Sequence, residues 1–346
     1  MNEGPAGAVV ERAVHSAGRA PSLHNSQPWR WTLDGDTLSL YAVPERMLPT
    51  TDTGGRQMLI SCGAALDHLR VAMAAAGWKL SVERFPDPNN RDHLADIGFR
   101  RAAIVTEGDR ARAEAIGRRY TDRLPFGAPA GWTDFETILR STFDPADAVV
   151  DVLPEDSRPA LAHAAQMTSS LRRYDSGYHA ELHWWTGHVI SATGVPRSAL
   201  VSPGEQEQVA VGRRFPARSG ESDRSVEVAD DHAAILVLST AGDTPEEIVR
   251  CGEVLSTVLL ESTLAGYATC PLTNLTEMAR SREAVRELIG GRRQPQVLIR
   301  VGALPHREQP PAPTPRLPLP EILSIVDAPT SRGSAATGRS APDEPK

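Results

Sequence analysis

Residues 21–31, PSLHNSQPWRW, are the densest run of chemically useful side chains in this sequence. Asn25, Ser26 and Gln27 carry short polar groups able to hydrogen-bond the edge of a flat heterocycle. Pro21 and Ser22 stop a preceding helix, because proline disfavours helical backbone at and before its own position. Pro28 has no donor for a sheet ladder and belongs at a strand's start. Trp29 and Trp31 then alternate, as strand residues do. Taken singly, each residue is ordinary for a polar loop entering a hairpin; the ordered string is not ordinary filler.

Other candidate groups carry less. His179 and His183 lie four apart with His188 following, in HAELHWWTGH. On one helix face the first two could hold a metal, but the order is not HExxH and no carboxylate or cysteine cluster accompanies them. They read as polar residues beside Trp184 and Trp185, and no metal is expected. The three cysteines, Cys62, Cys251 and Cys270, form no CxxC, which argues against a disulfide scaffold or a zinc knuckle. Cys270 precedes Pro271 and reads as a quiet buried thiol rather than a redox-active one. The sequence has no GxGxxG, GxSxG or Walker motif and no nuclease-type carboxylate set.

The chain's 346 residues suggest two domain-sized units. Hydrophobic residues make up 40%, enough for an ordinary core. A net charge of −7 without a dense basic stretch argues against nucleic acid as a partner. No apolar run approaches the ~20 residues of a membrane span, and the N-terminus lacks a signal-peptide pattern. A cytoplasmic protein is the expectation.

Periodicity sets the elements around these groups. Helices are expected over 9–18, 56–77, 110–120, 245–266 and 281–289, with one or two more in 154–184. Strands are expected over 29–33 and 38–43, joined through Asp34-Gly35, and over 78–85, 97–105, 232–240 and 296–302. From Pro329 onward Ser, Ala, Gly and Pro lack an apolar pattern, which predicts disorder. The two long helices repeat one another. ISCGAALDHLRVAMAAAGW (60–78) aligns without a gap to VRCGEVLSTVLLESTLAGY (249–267) at a constant offset of 189 residues. Cys62 meets Cys251, Gly63 meets Gly252, and an aromatic residue follows each final glycine. This predicts an internal duplication. Cys62 and Cys251 are then small apolar residues beside a glycine where two helices approach closely.

The Pro21–Trp31 string and the repeated helices resemble the nitroreductase superfamily of FMN enzymes, and over about residues 9–320 its Acg-like branch. The resemblance implies an α+β, nitroreductase-like fold. In it a fused duplication makes a pseudo-dimer, its central antiparallel sheets flanked by helices. The halves would be 1–107 and 108–320, the second carrying a lid insertion near 184–228, with 321–346 a largely disordered tail. The resemblance also implies the contacts to FMN. The edge loop offers Pro21, Ser22 and Asn25, while Leu23 and His24 depart from the pattern. GRRYTDR offers Arg119, Thr121 and Arg123 to the phosphate, where guanidinium forks suit phosphate oxygens. Pro271, Leu272, Thr273 and Asn274 would face the ring, and Arg316 would return to the phosphate. Because VVERAVHSAG in the first half has only one arginine, a single FMN per chain is expected. The chemistry would be the flavin's, with no protein acid or base required. Two electrons would pass from NAD(P)H to a nitroaromatic, quinone or specialised metabolite, on a monomeric pseudo-dimer. The alternative is an FMN-sequestering protein whose lid limits turnover.

Overall fold

Burial alternates strictly along the strand that follows the Pro21–Pro28 loop: Trp29, Trp31 and Leu33 are buried, Arg30 and Asp34 exposed. That period of two buries one face of a sheet. The computed structural model describes residues 4–187, 192–216, 230–304 and 312–326. The first half runs α1 (Gly7–Ala17), β1 (Trp29–Asp34), β2 (Thr37–Ala42), α2 (Arg56–Ala75), β3 (Trp78–Arg84) and β4 (His93–Arg101). The second runs α3 (Glu107–Arg118), α4 (Trp132–Arg140), β5 (Val149–Leu153), α5 (Arg158–Leu171), α6 (Ser176–Gly187), α7 (Pro203–Glu207), β6 (Ala234–Thr240), α8 (Pro245–Leu264), β7 (Tyr267–Leu272), α9 (Ala279–Leu288) and β8 (Gln294–Ala303). α10 (Leu319–Ile322) and β9 (Leu323–Val326) close the described chain.

Two sheets result, ordered β3-β4-β2-β1-β9 and β5-β6-β8-β7. Within each, an antiparallel pair is followed by a long helix and a second antiparallel pair, and the connections match: β7-β8-β6-β5 repeats β3-β4-β2-β1. The architecture is therefore α+β, with helices packed on antiparallel sheets. The β1–β2 turn is the two-residue loop Gly35-Asp36, with Gly35 at φ +54°.

The long helices α2 and α8 cross at two glycines. A Cβ on Gly63 would lie 2.0 Å from the Val249 carbonyl oxygen, and one on Gly252 would lie 2.2 Å from the Ile60 carbonyl oxygen. Each contact is the other's counterpart 189 residues away. Cys62 and Cys251 are buried beside this crossing. Burial pushes both thiols up, Cys251 to about 12, so neither is a reactive thiolate. Farther along the helices, Glu253 joins Arg70 and Arg84 (Nη2 to Oε1, 2.6 Å). α8 starts on a capping box, with Thr244 Oγ1 accepting from Glu247 N while the Glu247 carboxylate returns to Thr244 N. By length and composition α2 could cross a membrane, at mean hydropathy 1.3, but most of it is buried inside the protein.

Several elements differ from the sequence reading. β4 spans His93–Arg101 rather than 97–105, because its ladder with β3 fixes Trp78 opposite Arg101 and leaves Ile104 76% exposed. α4, β5 and β7 were not expected. β7 contains Pro271, which is tolerated because β7 is an edge strand. The 321–346 tail was expected to be largely disordered, yet residues 323–326 pair in parallel with β1. Leu323–Val326 thus extends the first sheet, placed there by Trp31 to Asp34.

Candidate functional site

A cavity of about 430 Å³ opens where the halves meet. Its walls come from the 19–25 loop, the start of α2, the segment after α3, β7, the 194–216 segment and Thr314 to Arg316. Of the residues assigned from the resemblance, Pro21, Ser22, Asn25, Arg119, Thr121, Arg123, Pro271, Leu272, Thr273 and Arg316 all line it. Asn274 does not; its amide donates to the Gly212 carbonyl at 3.2 Å and serves the wall rather than the cavity.

The edge loop is built under strain. His24, Asn25 and Gln27 have φ of +49°, +60° and +50°, in the left-handed region that costs non-glycine residues energy. Hydrogen bonds hold it there. Ser22 Oγ accepts from Gln27 N at 3.0 Å. Asn25 Nδ2 donates to Pro315 O at 3.0 Å and Ala192 O at 3.3 Å. Gln27 Nε2 donates to Ala192 O at 2.8 Å, and Gln27 Oε1 accepts from Leu317 N at 2.9 Å. The loop is therefore clamped by two remote segments, and Asn25 Oδ1 is left buried without a partner.

At one end of the cavity three guanidinium groups converge. Arg119 and Arg316 each donate to the Arg19 carbonyl at 3.2 Å. Arg119 is 5% exposed, and its Nε and Nη1 are buried without partners, as are the Nε atoms of Arg19 and Arg316. No carboxylate pairs with any of the three among the described residues. Burial and then Arg19 pull the Arg119 guanidinium down to about 10; burial, Arg119 and Arg19 pull Arg316 down to about 9. Arg119 and Arg316 both stay charged at neutral pH. A partly buried cationic cluster with unused donors fits a dianionic phosphate tail. Arg118, next to Arg119, is exposed. Arg19 is the residue sequence reasoning missed; its signal was its position two residues before Pro21 on the edge loop.

The other end is different. Arg123 was expected in the phosphate clamp, but its guanidinium lies 5.1 Å from the Phe215 ring and donates to Ala199 O at 3.3 Å. The backbone explains the split: after α3 the chain is extended from Arg119, and Asp122 N bonds Thr269 O of β7 at 2.9 Å, carrying Arg123 along the cavity. Arg213 stands nearby, ion-paired with Glu277 and donating to Thr273 Oγ1 at 3.3 Å. His24 is tilted against Phe215 at 5.6 Å between centroids. Burial, Arg213 and Arg123 hold its imidazole well below the usual histidine range, so it is neutral. Cys270 also lines this cavity, its thiol pushed up by burial. Gln57 Nε2, on α2, is a further buried amide without a partner.

The expected lid region falls partly on described residues. The 194–216 segment, read from sequence as a surface excursion, lines the cavity; residues 188–191 and 217–228 lie outside the described residues. His179 and His183 sit on α6, and His179 Nε2 contacts the Arg173 carbonyl at 3.0 Å. His188 lies outside the described residues. Taken together, the cavity has a cationic end, a polar edge and an aromatic end, a shape and charge that suit a flat ligand with an anionic tail.

No protein-family model matches this sequence. The chain is 50% identical over 317 residues to acg, a proposed NAD(P)H nitroreductase of Mycobacterium tuberculosis H37Rv, covering 92% of this chain and 96% of that protein. It is 37% identical over 321 residues to a second proposed NAD(P)H nitroreductase of that strain, covering 92% of each. Among solved structures, the FMN-dependent nitroreductase NfnB of Mycobacterium smegmatis, in complex with NADPH, aligns with 64% of this chain and 100% of its own at 16% identity and a TM-score of 0.40.

Proposed function

The chain belongs to the nitroreductase family of the mycobacterial Acg proteins, and from that premise we propose that it is an FMN-dependent oxidoreductase holding one flavin in the cavity between its halves. The observation that carries this reading is the trio Arg19, Arg119 and Arg316, which no carboxylate pairs among the described residues and whose Nε atoms are buried without hydrogen-bond partners. A cationic cluster of this kind is costly without an anion. When bound, FMN would supply two-electron transfer between NAD(P)H and an acceptor. The chain's own groups bind and orient. Arg19, Arg119 and Arg316 would hold the phosphate, and Thr121 would add a hydroxyl along the tail. Pro21, Ser22 and Asn25 would meet the ring's polar edge, where Asn25 Oδ1 has an unused acceptor. Pro271, Leu272 and Thr273 would floor the ring. Arg123 would serve the ring end rather than the phosphate.

One flavin per chain is expected from what replaces these groups 189 residues away. The counterparts of Gln57, Ser61 and Thr273 are Glu246, Arg250 and Arg84. Arg250 is paired with Glu246 at 2.8 Å and Asp147 at 3.0 Å, and Arg84 with Glu253. These counterpart positions are filled with mutually satisfied charge. This fits a duplicated chain in which one pseudo-symmetric site was kept.

A second reading, a flavin-sequestering protein, draws on the ties of 192–216 to the cavity walls at Asn25, Arg123 and Asn274. Extracted flavin per chain and an anaerobic titration with NADPH test both. One FMN per chain that bleaches promptly supports the oxidoreductase. One FMN that stays oxidised with NADPH yet reduces with dithionite supports sequestration. Protein that purifies colourless and does not take up FMN would refute both.

A further inference from the structure

His24 is a cavity group that the flavin contacts leave unused. It is 7% exposed, and neither ring nitrogen has a hydrogen-bond partner. Buried polar atoms without partners are rare and call for a ligand or a cost. The fold invests in placing it: His24 sits at φ +49° in a loop with three left-handed non-glycine residues, a conformation held by the Gln27 and Asn25 clamps. Its neighbours define the slot it faces. Phe215 is tilted 60° against it, and the Arg123 guanidinium lies 5.1 Å from the centroid of the same ring. The phosphate-type cluster is elsewhere, around Arg19.

We propose that His24 donates a hydrogen bond to an oxygen of the electron acceptor, a flat, electron-poor ring bearing a quinone carbonyl or a nitro group, seated beside Phe215. This rests on the flavin reading above. A neutral imidazole offers one N–H and one lone pair, so it orients such an oxygen without delivering a proton. Arg123, charged and close, adds a field favourable to an oxygen that gains electron density. The left-handed His24 backbone fixes the direction of the donor, while Phe215 gives the ring an apolar wall. The acceptor class is the one that the flavin reading carries, and one neutral donor beside one aromatic wall suits it. A carboxylate would find a better partner in an unpaired guanidinium.

The test uses holoprotein of wild type, His24→Phe and His24→Gln. Anaerobically reduced flavin is reoxidised in a stopped-flow instrument by menadione and, separately, by ferricyanide, which needs no directed hydrogen bond. Binding of nitrobenzene to the oxidised protein is followed by perturbation of flavin absorbance. In His24→Phe the ratio of menadione to ferricyanide rates should fall about tenfold and the nitrobenzene Kd should rise about tenfold, the size of one lost directed hydrogen bond. His24→Gln keeps an N–H donor and should recover part of both. Ratios and Kd values within twofold of wild type in both variants would overturn the proposal. So would a His24→Phe protein that loses its flavin, because the imidazole would then serve the cofactor. Wild-type protein that binds no FMN fails the parent reading instead, and is distinguished by its lack of colour.

Discussion

Replacing Arg119 with methionine should stabilise the apo protein and weaken its hold on FMN. The side chain is buried with Nε and Nη1 unpartnered, and burial and then Arg19 lower its pKa from the ordinary arginine value to about 10. At neutral pH it is charged in both folded and unfolded states, so the full penalty acts on the apo fold. At 1.36 kcal/mol per pKa unit this is about 3 kcal/mol. Methionine has a similar shape, no charge and flexible packing. The apo form of Arg119→Met should therefore gain up to about 3 kcal/mol, read as a rise of several degrees in thermal midpoint. FMN binding should weaken, offsetting most or all of that gain in the bound protein. A guanidinium–phosphate contact contributes about 1.5–3 kcal/mol, so the FMN Kd should rise roughly tenfold to a hundredfold. Thermal melts of apoprotein with and without FMN, together with flavin fluorescence titration, give both numbers. An apo midpoint that falls, with FMN affinity within twofold of wild type, would show that Arg119 is a structural fixture tying the 19–25 loop to α3.

Two further outcomes are expected. Gly252→Ala would place a methyl 2.2 Å from the Ile60 carbonyl oxygen; backbone cannot yield cheaply there, so urea unfolding should show a loss of about 3 kcal/mol or more, whereas an unchanged midpoint would mean the helices do not cross at these glycines. His24 and His68 are both held well below the usual histidine range, chiefly by burial. Below about pH 6.5 the unfolded chain then binds protons the fold refuses, so stability should fall as pH drops, by up to about 1.4 kcal/mol per pH unit for each. His68→Leu should remove one such contribution, and a slope identical to wild type between pH 6.5 and 5.5 would contradict it.

Much of the local structure was legible because it rests on local chemistry. Pro28 and the alternating tryptophans gave β1, Asp34-Gly35 gave the hairpin, and the spaced apolar stripe gave α2. The same patterns failed for short strands. Val149–Leu153 and Leu323–Val326 are five and four residues long, too brief for period two to stand out, and their partners lie far off in sequence. β7 was obscured by Pro271, which only its edge position makes admissible.

The sequence by itself determined most of the long elements and which helices repeat, since both follow from residue type and spacing; the candidate ligand contacts came only through the resemblance to nitroreductases. The tertiary structure alone decided who meets whom. Arg19 and Arg119 stand 100 residues apart and are joined because α3 ends beside the edge loop. Arg316 is brought in by a C-terminal segment that Gln27 and β1 capture. Arg123, four residues from Arg119, is sent to the other end because an extended backbone advances several ångströms per residue pair. Contacts between distant segments are set by packing and by backbone hydrogen bonds, and no local pattern encodes them.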